Sequence, residues 1–156
     1  MSNDKGFRTR SKTPPNSFLE TDEYAFTARI CEEIEKLGGK TYVINGNDIS
    51  SGLPDRLIVH KLWCGVIEFK GVETELRTNQ KIILSDIILR NPDFAFIVRN
   101  GAGNEHRSGP QPYRIQVPCS STLHPSRCAD IATFDGTGLG LLQTLNFMSK
   151  TPDVPL

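Results

Sequence analysis

No run of apolar residues in this chain approaches the ~20 needed to span a bilayer as a helix, so a membrane-spanning helix is not expected. Net charge is also missing, with 18 Lys and Arg against 18 Asp and Glu, which argues against both a uniformly basic coat and an acidic disordered tail. Cysteine is sparse. The four, Cys31, Cys64, Cys119 and Cys128, are too scattered for a disulfide scaffold and are expected to be reduced. Residues Met1 to Lys12 lack the apolar stretch of a signal peptide, and the expectation is a cytosolic protein.

What is present fits one domain. A chain of 156 residues that is 37 % hydrophobic and 23 % charged can bury a single core. The neutral total hides an uneven distribution. Residues 1–12 carry four basic groups against one acid, residues 13–55 carry three against eight, and residues 56–114 carry nine against six. A basic face can coexist with zero net charge, as can a mixed solvated surface.

Residues 1–16 read as a flexible basic arm closed by Thr13-Pro14-Pro15-Asn16. Ser17 and Glu20 have capping-box spacing, and Phe26, Ile30, Ile34 and Leu37 recur at helical intervals. A helix over 18–37 is predicted, stopped by Gly38-Gly39. Strands are predicted at Lys40 to Ile44, Arg56 to His60 and Val66 to Lys70, the last two forming a hairpin through Leu62 and Gly65. Thr78 is expected to cap a helix to Leu89, Asn91-Pro92 ends it, and Phe94 to Val98 is an apolar strand. Beyond Gly101, a strand at Tyr113 to Val117 and a helix near Leu139 to Met148 are expected. Gly136, Gly138 and Gly140 weaken the start of that helix. Helix, strand, hairpin, helix, strand is the order of a mixed α/β domain.

Asp55, Glu68 and Lys70 stand out chemically. Side chains two apart on a strand share a face, so Glu68 and Lys70 project together while Ile67 and Phe69 point the other way. Unpaired buried charge is costly, and a divalent cation between Asp55 and Glu68 relieves that cost. Carboxylate oxygens suit Mg²⁺, and a lysine beside it can hold a water or neutralise phosphate charge. Glu23 lies seven residues before Ile30 and eleven before Ile34, on the core side of the first helix at ~100° per residue. Glu20, one turn earlier, competes for that role but is explained by capping. Gln80 falls in the first turn of the second helix near Arg77 and Lys81, where an anion is favoured; an ordinary exposed turn is the alternative.

The run Gly52-Leu53-Pro54-Asp55, then Ile67-Glu68-Phe69-Lys70, then Thr78-Asn79-Gln80, resembles the VRR-NUC family of PD-(D/E)xK nucleases. That resemblance covers roughly Glu23 to Val98. It implies a restriction-endonuclease-like core over 17–100, a central mixed sheet flanked by helices. It also implies Mg²⁺ (or Mn²⁺) bound by Asp55, Glu68 and the main-chain carbonyl of Phe69, with Lys70 catalytic and Gln80 positioning water or phosphate. Glu23 matches the family's helix acid. Small stand-alone members are similar to phage-type Holliday-junction resolvases and act as homodimers, so branched or duplex DNA and a second copy of the chain are the implied partners. Two rivals are a DNA-binding or assembly protein that keeps the fold without turnover, and a nuclease acting on RNA or DNA ends. Residues 101–156 are expected to pack on the core as a C-terminal extension or to contact DNA or a partner copy.

Two other features carry alternatives. Cys119-x4-His124-x3-Cys128, with His106, has zinc-like spacing but no C-x-x-C pair, and buried cysteines with exposed histidines are expected instead. Leu62 and Trp63 at the hairpin tip suit a dimer contact, a wedge against DNA, or packing on the C-terminal segment.

Overall fold

A computed structural model describes residues 23–44, 52–102, 109–119 and 128–150. Glu23–Lys36 form α1, Lys40–Val43 β1, Arg56–Val59 β2, Cys64–Lys70 β3, Thr78–Arg90 α2, Ala95–Arg99 β4, Tyr113–Pro118 β5, Cys128–Phe134 β6 and Gly138–Ser149 α3. The Ser17/Glu20 capping box and the first residues of the expected helix lie outside the described residues.

The six strands form one sheet in chain order, β1 through β6. Every neighbouring pair is antiparallel except β3 and β4, which run parallel and are joined through α2. A parallel pair cannot be closed by a hairpin, and the crossover helix supplies the return path. Both faces of the sheet are covered. Phe26, Ile30 and Ile34 of α1 and Leu141, Leu142 and Leu145 of α3 pack with Ile58, Ile67, Phe69, Phe96, Val98 and Ile115. On the opposite face, Leu84 of α2 packs with Val66, Ala95, Ile97 and Leu76. The fold is therefore α/β, with a mixed sheet between three helices. No helix among the described residues is long and apolar enough to cross a membrane.

The helical spacing of α1 holds for Phe26, Ile30 and Ile34, which are fully buried, but not for Leu37, which lies just past the helix end at Lys36 and is exposed. The helix ends where the Gly39 N–H bonds the Ile34 carbonyl at 3.0 Å. At the other side of that core, α3 begins at Thr137, whose hydroxyl accepts from the Gly140 N–H at 2.9 Å. Asp135 accepts in turn from the Thr137 N–H at 2.9 Å. The glycines that weaken this helix by propensity serve its packing. A Cβ on Gly138 would sit 2.8 Å from the Glu33 Cβ and 3.2 Å from the Ile34 nitrogen, so α3 reaches α1 only because no side chain intervenes.

Three sequence expectations need correction. Thr78 is not the cap of α2; the N-cap is Arg77, and the Gln80 side chain takes the reciprocal role by accepting from the Arg77 N–H at 3.0 Å. Of the three readings of Trp63, the wedge and the dimer contact give way to packing, in the core that holds Leu141, Leu142 and Leu145 of the C-terminal segment. Trp63 is buried, its ring centroid lies 5.9 Å from that of Phe96, and its indole N–H donates to the Asp93 carbonyl at 3.1 Å. A further strand, β6, stands where no element was expected, because its mostly exposed sequence CADIATF has no continuous apolar run.

Candidate active site

β3 is an interior strand, third of six, and is buried from Gly65 to Lys70. Its alternation sends Ile67 and Phe69 into the α1/α3 core and Val66 toward α2. Glu68 and Lys70 share the face of Val66 by strand parity. Glu68 is 1 % exposed and Lys70 4 %. Two ionisable groups at such depth on a central strand are not a surface ion pair.

The surroundings of Glu68 are unevenly filled. Its Oε1 accepts from the Gln80 Nε2 at 2.7 Å and lies 3.6 Å from the Lys70 Nζ. Its Oε2 is buried with no hydrogen-bond partner. Burial pushes the Glu68 carboxyl up to about 8; Asp55 and Glu23 add to the rise, and Lys70 opposes it. Gln80 is itself buried. It is thus no exposed first-turn residue meeting phosphate directly: its amide NH2 donates to the carboxylate and its amide oxygen accepts from the Arg77 N–H, tying the start of α2 to β3.

Asp55 arrives from the turn just before β2. Its Oδ2 accepts the Phe69 N–H at 2.9 Å, stitching the Pro54-Asp55 turn to β3. Burial raises its carboxyl, while the Phe69 N–H and the charges of Lys70, Arg56 and Arg77 pull it back. Gly52, three residues earlier, has φ 103°, and a Cβ there would stand 2.9 Å from the Asn79 Cβ. Only glycine lets this turn press against α2 and deliver Asp55 to the strand end.

Glu23, at the first turn of α1, is half-buried, and its Oε2 accepts the Gly71 N–H at 3.3 Å. It lines, with Asp55, Arg56, Tyr24 and Thr27, a cavity of about 410 Å³. Asp55, Glu68, Lys70 and Gln80 thus converge around the end of β3, with Glu23 at the cavity beside them. Glu20 lies outside the described residues.

The donor set has a definite chemical character. Among the described residues no three His, Cys, Asp or Glu side chains gather closely enough to form a cage for a metal ion. Mg²⁺ asks for less, since it is held by one or two carboxylates and keeps several waters. Two mutually repelling carboxylates, one with a buried partnerless oxygen, fit a cation of that kind. The zinc reading gains nothing: His106 and His124 lie outside the described residues. Cys128 sits on β6 with its Sγ 4.0 Å from the Arg99 Nη2. All four cysteines are free thiols, Cys31 buried and Cys64 exposed.

Sequence reasoning missed a second polar network beside the first. Arg99, in register with Lys70 across the parallel pair, is buried. Its Nη1 donates to the Gly71 carbonyl at 2.9 Å and the Thr74 carbonyl at 2.7 Å, and its Nε to Gln116 at 2.8 Å. Gln116 donates to Asp130 at 2.6 Å, and Arg114 donates to the Val72 carbonyl at 3.2 Å. Two guanidinium groups from β4 and β5 therefore pin the segment leading from Lys70 to α2. The alternation of β4 puts Arg99 on the face of Ile97, which was readable; the carbonyls it meets were not. Arg99→Met is expected to cost about 3 kcal/mol by stranding those acceptors, read as a lower urea midpoint. An unchanged midpoint would mean that water replaces the guanidinium.

No protein-family model matches this chain, and no curated protein matches it at a significant level.

Proposed function

We propose that this protein is a divalent-metal-dependent nuclease that hydrolyses DNA phosphodiester bonds, on a restriction-endonuclease-like core. The observation that carries the reading is Glu68. A carboxylate buried to 1 % on an interior strand, beside a lysine and near a second carboxylate, with one oxygen lacking any partner, is expensive for stability alone. Perturbed, desolvated titratable groups of this kind are characteristic of chemistry rather than scaffolding. The mixed sheet, with its parallel β3–α2–β4 crossover, supports the finer fold.

Asp55 and Glu68 would hold Mg²⁺ or Mn²⁺, with the Phe69 carbonyl as a further oxygen donor and Glu23 at the outer side. The cation supplies Lewis-acid stabilisation of charge gathering on the phosphoryl oxygens. The rest is done by the chain. Gln80 fixes the orientation of the Glu68 carboxylate, and Lys70 sets an ammonium where negative charge develops on phosphorus-bound oxygen. Hydrolysis adds the oxygen of water to phosphorus, breaks the bond to the departing sugar oxygen and leaves a proton on that oxygen. Arg56 and Arg77, both close enough to Asp55 to lower its carboxyl, give the mouth of the site an attraction for a polyanion.

The test is cleavage of a labelled four-way junction beside matched linear duplex, single strand and RNA, in Mg²⁺, Mn²⁺ and EDTA. Wild type is expected to cut branched DNA in either metal and to stop in EDTA, with Asp55→Ala inactive throughout. Sedimentation of the same preparation is expected to give a homodimer, which presents two sites to paired strands. Equal cutting by Asp55→Ala and wild type would remove the assignment; binding without cutting would leave a DNA-binding protein.

A further inference from the structure

The cavity beside the carboxylates has features that metal binding does not use. Its walls are Glu23, Tyr24 and Thr27 from the N-terminal part of α1, Asp55 from the turn before β2 and Arg56 from the first position of β2. Its volume of about 410 Å³ is that of a small-molecule site, for which about 300–1,000 Å³ is usual. Tyr24 is 68 % exposed at its rim, outside the apolar core that holds the neighbouring Phe26. The Thr27 hydroxyl is committed to the Glu23 carbonyl at 2.7 Å and leaves the wall without a free donor there. Arg56 is half-buried; its Nη1 donates to the Asp55 carbonyl at 3.4 Å and its guanidinium also bonds the Cys31 thiol, which holds the group at the wall of the opening and leaves further N–H donors on the fork. An aromatic face, a guanidinium and two carboxylates therefore surround one opening.

Resting on the nuclease reading, we propose that this cavity seats an unpaired nucleotide adjacent to the scissile bond, its base stacked on Tyr24 and its phosphate engaged by Arg56. In a continuous duplex both faces of each base are covered by neighbours. An aromatic ring can stack only on a base that is already unpaired or has been swung out of the helix. The carboxylates at the far end repel phosphate, so the strand enters along the Arg56 side and is drawn inward only when a divalent cation offsets Asp55 and Glu23. A single strand, a flap or the open centre of a branch meets these requirements without an unpairing cost, whereas intact duplex does not. The preference for branched substrates then has a physical source in one ring and one cation.

The experiment compares wild type, Tyr24→Ala, Tyr24→Phe and Arg56→Gln on flap and junction oligonucleotides in Mg²⁺. Each substrate is made with a normal base or an abasic site at the unpaired position next to the cut. Thermal midpoints are measured for every variant beside the kinetics, so that the comparison is of folded proteins, and Tyr24→Phe keeps the ring where Tyr24→Ala removes it. Tyr24→Ala is expected to raise KM about tenfold on the normal substrates with kcat nearly constant, and Tyr24→Phe to restore it. The abasic substrates should erase the difference between Tyr24→Ala and wild type. Arg56→Gln is expected to raise KM on both. If wild type cuts and Tyr24→Ala matches it on every substrate, the cavity is not a base seat and the nuclease reading survives. If wild type neither cuts nor binds any oligonucleotide, the nuclease reading falls, and this proposal falls with it.

Discussion

Lys70→Ala is expected to lower the single-turnover cleavage rate about 10²- to 10³-fold while leaving the Kd for DNA nearly unchanged. The ammonium lies 3.6 Å from Glu68 on the inner face of a central strand and is 4 % exposed, so it is not placed to grip a duplex from outside. Its loss removes charge where the transition state needs it and takes little from ground-state binding, which separates kcat from KM. Lys70→Met, which keeps most of the stem volume, should be equally inactive. Folding should survive both changes at neutral pH, because a Glu68 that loses its cation is pushed further toward the protonated, neutral form. Quench-flow rates with gel-shift affinities decide the matter, and wild-type rates in either variant would sink the role given to Lys70.

Glu68→Gln should abolish activity and, in metal-free protein, raise stability at alkaline pH. The carboxyl titrates near 8 in the fold against an ordinary 4.5. Between those values the native state holds a proton that the unfolded chain has released, so stability falls as pH rises through that window and is level beyond it. The burial of the ionised carboxylate therefore costs up to about 5 kcal/mol above pH 8 and nothing below the unfolded value. Asp55, also raised by burial, has the same sign. Glutamine keeps an acceptor for Gln80 and cannot ionise. Its urea midpoint should match wild type near pH 4 and exceed it near pH 9, both in EDTA. Mg²⁺ should then raise the wild-type midpoint at pH 9 by mass action and leave the variant unmoved. Parallel pH profiles for the two proteins would show that Glu68 is not carrying the burial cost.

Strand parity and helical spacing are local rules, and wherever local rules suffice the sequence could be read. The i, i+4 apolar positions of α1 and the shared face of Glu68 and Lys70 follow from chain geometry alone. The same rules miss whatever depends on a distant neighbour. Gln80 looks like an exposed first-turn residue until β3 supplies the Glu68 carboxylate beneath it. Arg99 reads as the polar end of an apolar strand, and only the return of the chain from Gly71 to Thr74 reveals what it holds. β6 is half exposed and lacks an apolar signature, because its pairing to β5 is backbone chemistry that any side chains permit. Gly138 argues against a helix by propensity and is required by the close approach of another helix.

That close approach joins parts of the chain made far apart in time. The Gly138 N–H lies 3.5 Å from a Glu33 carboxylate oxygen, 105 residues earlier in the sequence, and α1 and α3 close a single core. Asp55, Glu68, Lys70 and Gln80, by contrast, come from a hairpin and the helix just after it. A ribosome will have released every one of these residues before the helix that seals the opposite face exists. During that interval Phe26, Ile30 and Ile34 have the sheet beside them but not Leu141, Leu142 and Leu145 of α3, and contacts of such long sequence separation are the slow ones to form. The nascent chain is therefore most vulnerable to aggregation and to chaperone capture along α1, on the side of the sheet away from Glu68 and Lys70.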